Sequence, residues 1–142
     1  MDLCLYTDSV DRLSFEAALD LAVEAGCDAI EIAAGGQSAA PHMRIGELLT
    51  DPGKRRAFAD AFATRGLQIA ALNCSAWPLH PVRGEADAEL IRDVIRLAEM
   101  LGVDKIVTMS GCPGDGPAAS TINWIWYPWP ADALALLERQ WA

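Results

Sequence analysis

Glu31 stands inside an apolar run, Ala29-Ile30-Glu31-Ile32, at a place where a strand is expected. A carboxylate on the inner face of a parallel sheet can bind a ligand or move a proton. The same carboxylate can instead be a structural acid held by a lysine or arginine, since a buried acid needs a partner in either case. His80 lies in Trp77-Pro78-Leu79-His80-Pro81, between two prolines. A histidine there can ligate a metal, carry a proton or hydrogen-bond a hydroxyl, and it is expected to stand exposed in its loop. His42, beside Pro41, carries the same options with weaker support. The run Ser110-Gly111-Cys112-Pro113-Gly114-Asp115-Gly116-Pro117 is rich in glycine but lacks the GK[ST] ending of a phosphate loop. Its backbone amides and Ser110 can face a ligand, while Cys112 has no base nearby in sequence to activate it. Trp124, Trp126, Tyr127 and Trp129, with Trp77, offer flat apolar faces that can stack on a ring or pack a loop. Prolines at 128 and 130 break any helical aromatic stripe.

The elements that must position these residues repeat. Three segments run from an amphipathic helix through a glycine into a short apolar strand. The first passes through Gly26 into Ala29–Ile32, the second through Gly66 into Ile69–Leu72, and the third through Gly102 into Lys105–Thr108. These glycines are 40 and then 36 residues apart, a period that marks a repeated supersecondary unit. Glycine suits the end of a helix because the chain turns there with positive φ. In the first helix Phe15, Ala18, Leu19, Ala22 and Val23 follow the i, i+3, i+4, i+7, i+8 pattern, with Ser14 as its cap. The second opens on Asp51-Pro52 and buries Phe58, Ala61 and Phe62. The third is expected from about Ala86 to Leu101, with Leu90, Ile91, Val94, Leu97, Ala98 and Leu101 on its apolar side. A strand at 3–6 precedes them all.

Helix-then-strand repeats predict a parallel sheet. Long loops at 33–46, 75–85 and 110–130 all follow strands, the end at which parallel α/β folds gather their ligand sites. Aligning the repeats on their glycines puts Glu31, Ala71 and Val107 on one face and Ile30, Ala70 and Ile106 on the other. A further helix from about Ala131 carries Leu134, Leu137 and Trp141 and is still running at Ala142. A whole eightfold barrel needs about 250 residues. The expected fold is therefore α/β, a single domain over 1–142: the parallel (β/α)4 half of a TIM barrel, cut after strand four and its following loop and helix. The competing architecture is an open, doubly wound parallel sheet.

Eleven basic residues against 20 acidic ones give a net charge of −9. Such a chain repels phosphate backbones and anionic membrane surfaces, so neither nucleic acid nor membrane is expected as a partner. The N-terminus lacks the basic region and apolar core of a signal peptide, and Cys4, Cys27, Cys74 and Cys112 form no CxxC, so a reducing cytoplasm is expected.

Gly26-Cys27-Asp28-Ala29-Ile30-Glu31-Ile32, Leu72-Asn73-Cys74-Ser75 with Pro78-Leu79-His80-Pro81, and Arg96–Glu99 running into Ser110–Gly114 together resemble the N-terminal half of the sugar phosphate isomerase/epimerase family, the xylose-isomerase-like barrels. The resemblance covers essentially the whole chain, and its two loop motifs are more specific than its helix–glycine–strand parts. It implies a sugar or polyol substrate and metal-dependent aldose–ketose isomerisation, or epimerisation next to a carbonyl. It implies a divalent metal, Mn, Mg, Co or Zn, held by carboxylates and a histidine near strands five to eight. Those strands lie beyond residue 142, so the catalytic carboxylates are expected elsewhere, and this length alone is expected to hold no metal and to be inactive. The residues expected to meet substrate are His80, Glu31, Trp77, Ser110 and Trp124. A DNA-repair endonuclease branch shares the barrel, but its histidine-rich trinuclear zinc site fits poorly with two histidines and a charge of −9. A non-enzymatic half-barrel is the alternative, one that binds a small molecule or pairs with itself as a homodimer through unpaired edges.

Overall fold

The computed structural model describes residues 3–109 together with 118, 135, 138, 139 and 141. Strand β1 (Cys4–Tyr6) passes through a 3₁₀ turn (Thr7–Val10) into α1 (Phe15–Glu24). Then come β2 (Ala29–Gly36), α2 (Ile45–Thr50), α3 (Pro52–Ala63), β3 (Gln68–Ser75), α4 (Gly84–Leu101) and β4 (Ile106–Thr108). The four strands form one parallel sheet in the order β1-β2-β3-β4. Each strand sits beside its predecessor, with no reversal of direction along the sheet. A doubly wound sheet needs such a reversal, so this is the half TIM barrel.

The helices start and stop where the sequence supplies a cap or a hinge. The Ser14 hydroxyl accepts the Ala17 amide at 3.3 Å and caps α1. The Asp51 carboxylate accepts the amides of Gly53 at 2.8 Å and Lys54 at 3.1 Å, and Pro52 fills the first turn of α3. Helix α4 ends on Gly102 at φ 70°, a left-handed closure. Between sheet and helices lies one apolar core that includes Leu19, Ile30, Ile32, Phe58, Phe62, Leu72, Val94 and Leu97. Phe15 stacks on Phe58 with centroids 5.1 Å apart, and Phe62 meets both rings edge-on, which locks α1 to α3.

Several expectations are corrected. Val23, read as part of the α1 stripe, is 46% exposed, because the helix buries Ala18, Leu19 and Ala22. Strands β2 and β3 run on to Gly36 and Ser75, and α2 occupies part of what read as loop. Ala70 does not pair across from Ile30. The register jumps there, so Ile30 pairs with Ile69 and Glu31 with Ala71, leaving Ala70 as the extra residue of a bulge. The loop at 110–130 and the helix expected from Ala131 fall almost wholly outside the described residues. Among the described residues no helix is long and apolar enough to cross a membrane.

Candidate functional site

The inner face of the sheet, turned away from the helices, carries its side chains in rows. Tyr6, Glu31 and Ala71 are paired across β1, β2 and β3. Ala33, Asn73 and Val107 form the next row towards the C-terminal ends. Glu31 is half-buried there, and Asn73 reaches back one row so that its Nδ2 donates to Glu31 Oε1 at 2.5 Å. The Ser75 hydroxyl donates to Asn73 Oδ1 at 2.9 Å, which fixes the amide's orientation. Burial, and then the charge of Asp8, push the Tyr6 phenol above its ordinary pKa, against a weaker pull from a hydrogen bond with Ser75. Tyr6 is therefore protonated at neutral pH. Among the described residues Glu31 joins no ion pair. The structural alternative, a lysine or arginine beside this acid, is not found among the described residues, where the Asn73 amide holds it.

Three loops meet above these rows and are stitched together. The Ser38 hydroxyl donates to the Asp8 carboxylate, tying the β2 loop to the 3₁₀ turn. His42, 5% exposed, donates from Nε2 to the Leu13 carbonyl at 2.8 Å, which makes it a strut between loops. The Gln37 amide donates to the Ser75 carbonyl at 2.9 Å, joining the ends of β2 and β3. Gly36 is what permits that join. At φ +82° it lies where a Cβ would fall 2.3 Å from the Ser75 carbonyl oxygen.

The loop after β3 differs from its expectation. His80 is 2% exposed and belongs to the interior. Its Nδ1 accepts the amides of Val82 at 3.2 Å and Arg83 at 3.1 Å, and its carbonyl accepts the Gly84 amide at 2.7 Å. Trp77, expected to offer a flat face to a ligand, is 1% exposed, with its indole inside the fold. The Trp77 amide donates to the buried Asp87 carboxylate at 2.8 Å, and Arg83 approaches the same carboxylate at 3.5 Å. Cys74 points into the core, and burial, helped by the charge of Asp87, pushes its thiol up to about 11, so it is no nucleophile at neutral pH. Ser110 and Trp124 lie outside the described residues.

Of the expected site residues that are described, then, Glu31 is found on the inner face, while His80 and Trp77 build the loop beside it. Tyr6, Asn73, Ser75 and Asp87 were missed. Asn73 and Ser75 were legible, because they continue the alternation that begins at Ala71. Among the described residues no three His, Cys, Asp or Glu side chains converge to hold a metal ion.

A family model described as the xylose isomerase-like TIM barrel matches residues 19–137. A Bacillus subtilis (strain 168) protein named YfiH is 40% identical over 144 residues, which cover 99% of this chain. The chain spans 46% of the length of that relative.

Proposed function

Given that the chain belongs to the xylose isomerase-like TIM barrel family, we propose that it supplies the substrate-holding half of an isomerase or epimerase acting on sugars or sugar phosphates. The reaction class is aldose–ketose isomerisation, or epimerisation at a carbon next to a carbonyl. One observation carries this reading: a half-buried carboxylate on the inner face, with Oε1 held by the Asn73 amide at 2.5 Å and no ion pair to it among the described residues. A carboxylate that is oriented but not neutralised is a strong acceptor for a hydroxyl, and charge-assisted hydrogen bonds are about twice as strong as neutral ones. In this reading Oε2 of Glu31 accepts a substrate hydroxyl, Asn73 keeps the carboxylate from rotating, and Ser75 keeps Asn73 from flipping.

The family likeness implies a divalent metal, Mn, Mg, Co or Zn. The described residues do not provide a ligand set for one. Their part is to bind and orient substrate. Four βα units are half of what a closed barrel uses, and the 142-residue chain by itself is expected to interconvert no aldose and ketose. The free thiols of Cys4, Cys27 and Cys74 suit a reducing cytoplasm as its location. A second reading, a self-pairing module, is favoured by the sheet edges: among the described residues β1 and β4 each pair on one side only.

The test is turnover with the chain joined to four complementary βα units of a barrel of this family, screened over aldose–ketose pairs. Glu31→Gln should raise KM more than it lowers kcat, because it weakens ground-state binding. An unchanged kcat/KM in that variant would remove Glu31 from the site. Turnover of a ketose by the 142-residue chain alone, with tight stoichiometric Mn²⁺ or Co²⁺ binding, would overturn the assignment of this half to binding.

A further inference from the structure

Helix α4 begins without the usual cap. The residue before it, Arg83, makes no side-chain hydrogen bond to the first turn, yet the first amides of a helix need acceptors. His80 provides one for the first residue of the helix, Gly84, and two more for the residues that lead into it. Its carbonyl takes the Gly84 amide, and its ring Nδ1 takes those of Val82 and Arg83. Gly84 has to be glycine for this closure, since a Cβ there would fall 2.6 Å from the Pro78 carbonyl oxygen. The Asp87 carboxylate closes the same loop from inside the helix by accepting the Trp77 amide.

We infer that His80 is a positioning residue, a neutral imidazole fixed with its proton on Nε2, which clasps the loop 77–83 onto α4 and can serve neither as a metal ligand nor as a proton acceptor. Lone pairs decide this. A backbone amide only donates, so two amides aimed at Nδ1 require a lone pair there, and the single proton of a neutral ring then sits on Nε2. Metal ligation through Nε2 would force that proton onto Nδ1, against two N–H groups. Ligation through Nδ1 would require the metal to displace both amides. Whatever meets Nε2 must therefore be an acceptor, such as a carbonyl, hydroxyl or carboxylate oxygen. The clasp is independent of the proposed reaction.

Ring nitrogen NMR of the 142-residue chain reads the tautomer without any variant. The expected result is a protonated Nε2 and an unprotonated Nδ1 at neutral pH, with both resonances unmoved when Zn²⁺ is added. A protonated Nδ1, or a His80 shift that saturates with Zn²⁺, would overturn the inference. Two variants give a second readout, because the amide oxygen of Asn reaches where Nδ1 lies and that of Gln reaches towards Nε2. His80→Asn should leave exchange at the Val82 and Arg83 amides close to wild type, while His80→Gln should raise it about tenfold, near the upper worth of one net hydrogen bond. Better protection in the Gln variant than in the Asn variant would place the working nitrogen at Nε2 and refute the clasp.

Discussion

Replacing Gly36 by alanine should cost far more than the loss of one hydrogen atom suggests. Gly36 sits at φ +82°, and a non-glycine residue in that region costs roughly 1–2 kcal/mol. Its new methyl would lie 2.3 Å from the Ser75 carbonyl oxygen, 2.4 Å from the Ser75 carbonyl carbon and 2.7 Å from the Ala76 nitrogen. All three are main-chain atoms of the neighbouring strand or its exit, so no rotamer change relieves the clash. Overpacking of this kind costs about 1–3 kcal/mol. Moving the strands apart would also stretch the Gln37 amide's bond to the Ser75 carbonyl, worth about 0.5–1.5 kcal/mol net. Alanine returns about 0.4–1 kcal/mol by restricting the unfolded chain. The balance is about 1.5–6 kcal/mol, or a fall in Tm of about 5–25 °C for a chain this size. Gly26→Ala is the matched control: φ is +74° there, but no atom lies within 4 Å of the added Cβ, so only the strain of about 1–2 kcal/mol, less the same gain from the unfolded chain, remains. Urea unfolding of both variants, at equal m-value, separates clash from strain. Equal midpoints for the two would refute the close approach of β2 and β3 on which the loop arrangement depends.

Ala40 holds φ 44° without being glycine, so Ala40→Gly should stabilise by about 0.5 kcal/mol, strain relief outweighing the added freedom of the unfolded chain; a lower Tm would show that this backbone is not strained. Hydrogen bonds from the Lys54 and Gly53 amides hold Asp51 below its ordinary pKa of 3.8. Its contribution to stability is therefore present above pH 3.8 and lost as pH falls through the lower folded value. Asp51→Asn should flatten the acid limb of the stability curve in that window, and an unchanged acid limb would deny the cap. The edges of β1 and β4, which pair on one side only among the described residues and have Leu3 50% and Val107 41% exposed beside them, should make the 142-residue chain self-associate at micromolar concentration, as a homodimer or beyond. Sedimentation velocity checks this, and one sharp monomer boundary across that range would contradict it.

The repeat was legible because each unit ends on a glycine at positive φ and each helix writes its buried side at a 3.6-residue period. Ser14 and Asp51 announced two helix starts by the same chemistry that caps them. Glu31 was legible because a carboxylate interrupts an apolar strand. What could not be read were events that depend on a partner strand. The bulge at Ala70, and the second at Ala34 where Ala33 pairs with Asn73 and Gly35 with Cys74, arise from how β2 and β3 meet, and no local pattern encodes that register. Nor does sequence reveal that the His80 ring turns inward to serve amides two and three residues later. Between two prolines it reads as an exposed loop histidine, and only the turn into α4, whose Val82 and Arg83 amides aim at its Nδ1, shows what holds the ring inside. Trp77 misled for a similar reason, since its position after a strand indicated the ligand side while its ring went into the interior.

Glu31, oriented by Asn73, is proposed to receive the hydroxyls of a sugar. The most direct measurement follows the Asn73 side-chain amide of the 142-residue chain by NMR during titration with ketoses, aldoses, their phosphates and polyols, and repeats it with Glu31→Gln. Half a site should bind in the millimolar range, about −4 kcal/mol, with a saturable shift at Asn73 for at least one sugar that disappears in the Glu31→Gln variant. An Asn73 amide that stays still for every sugar, or that shifts equally in the wild-type chain and in Glu31→Gln, would contradict the account.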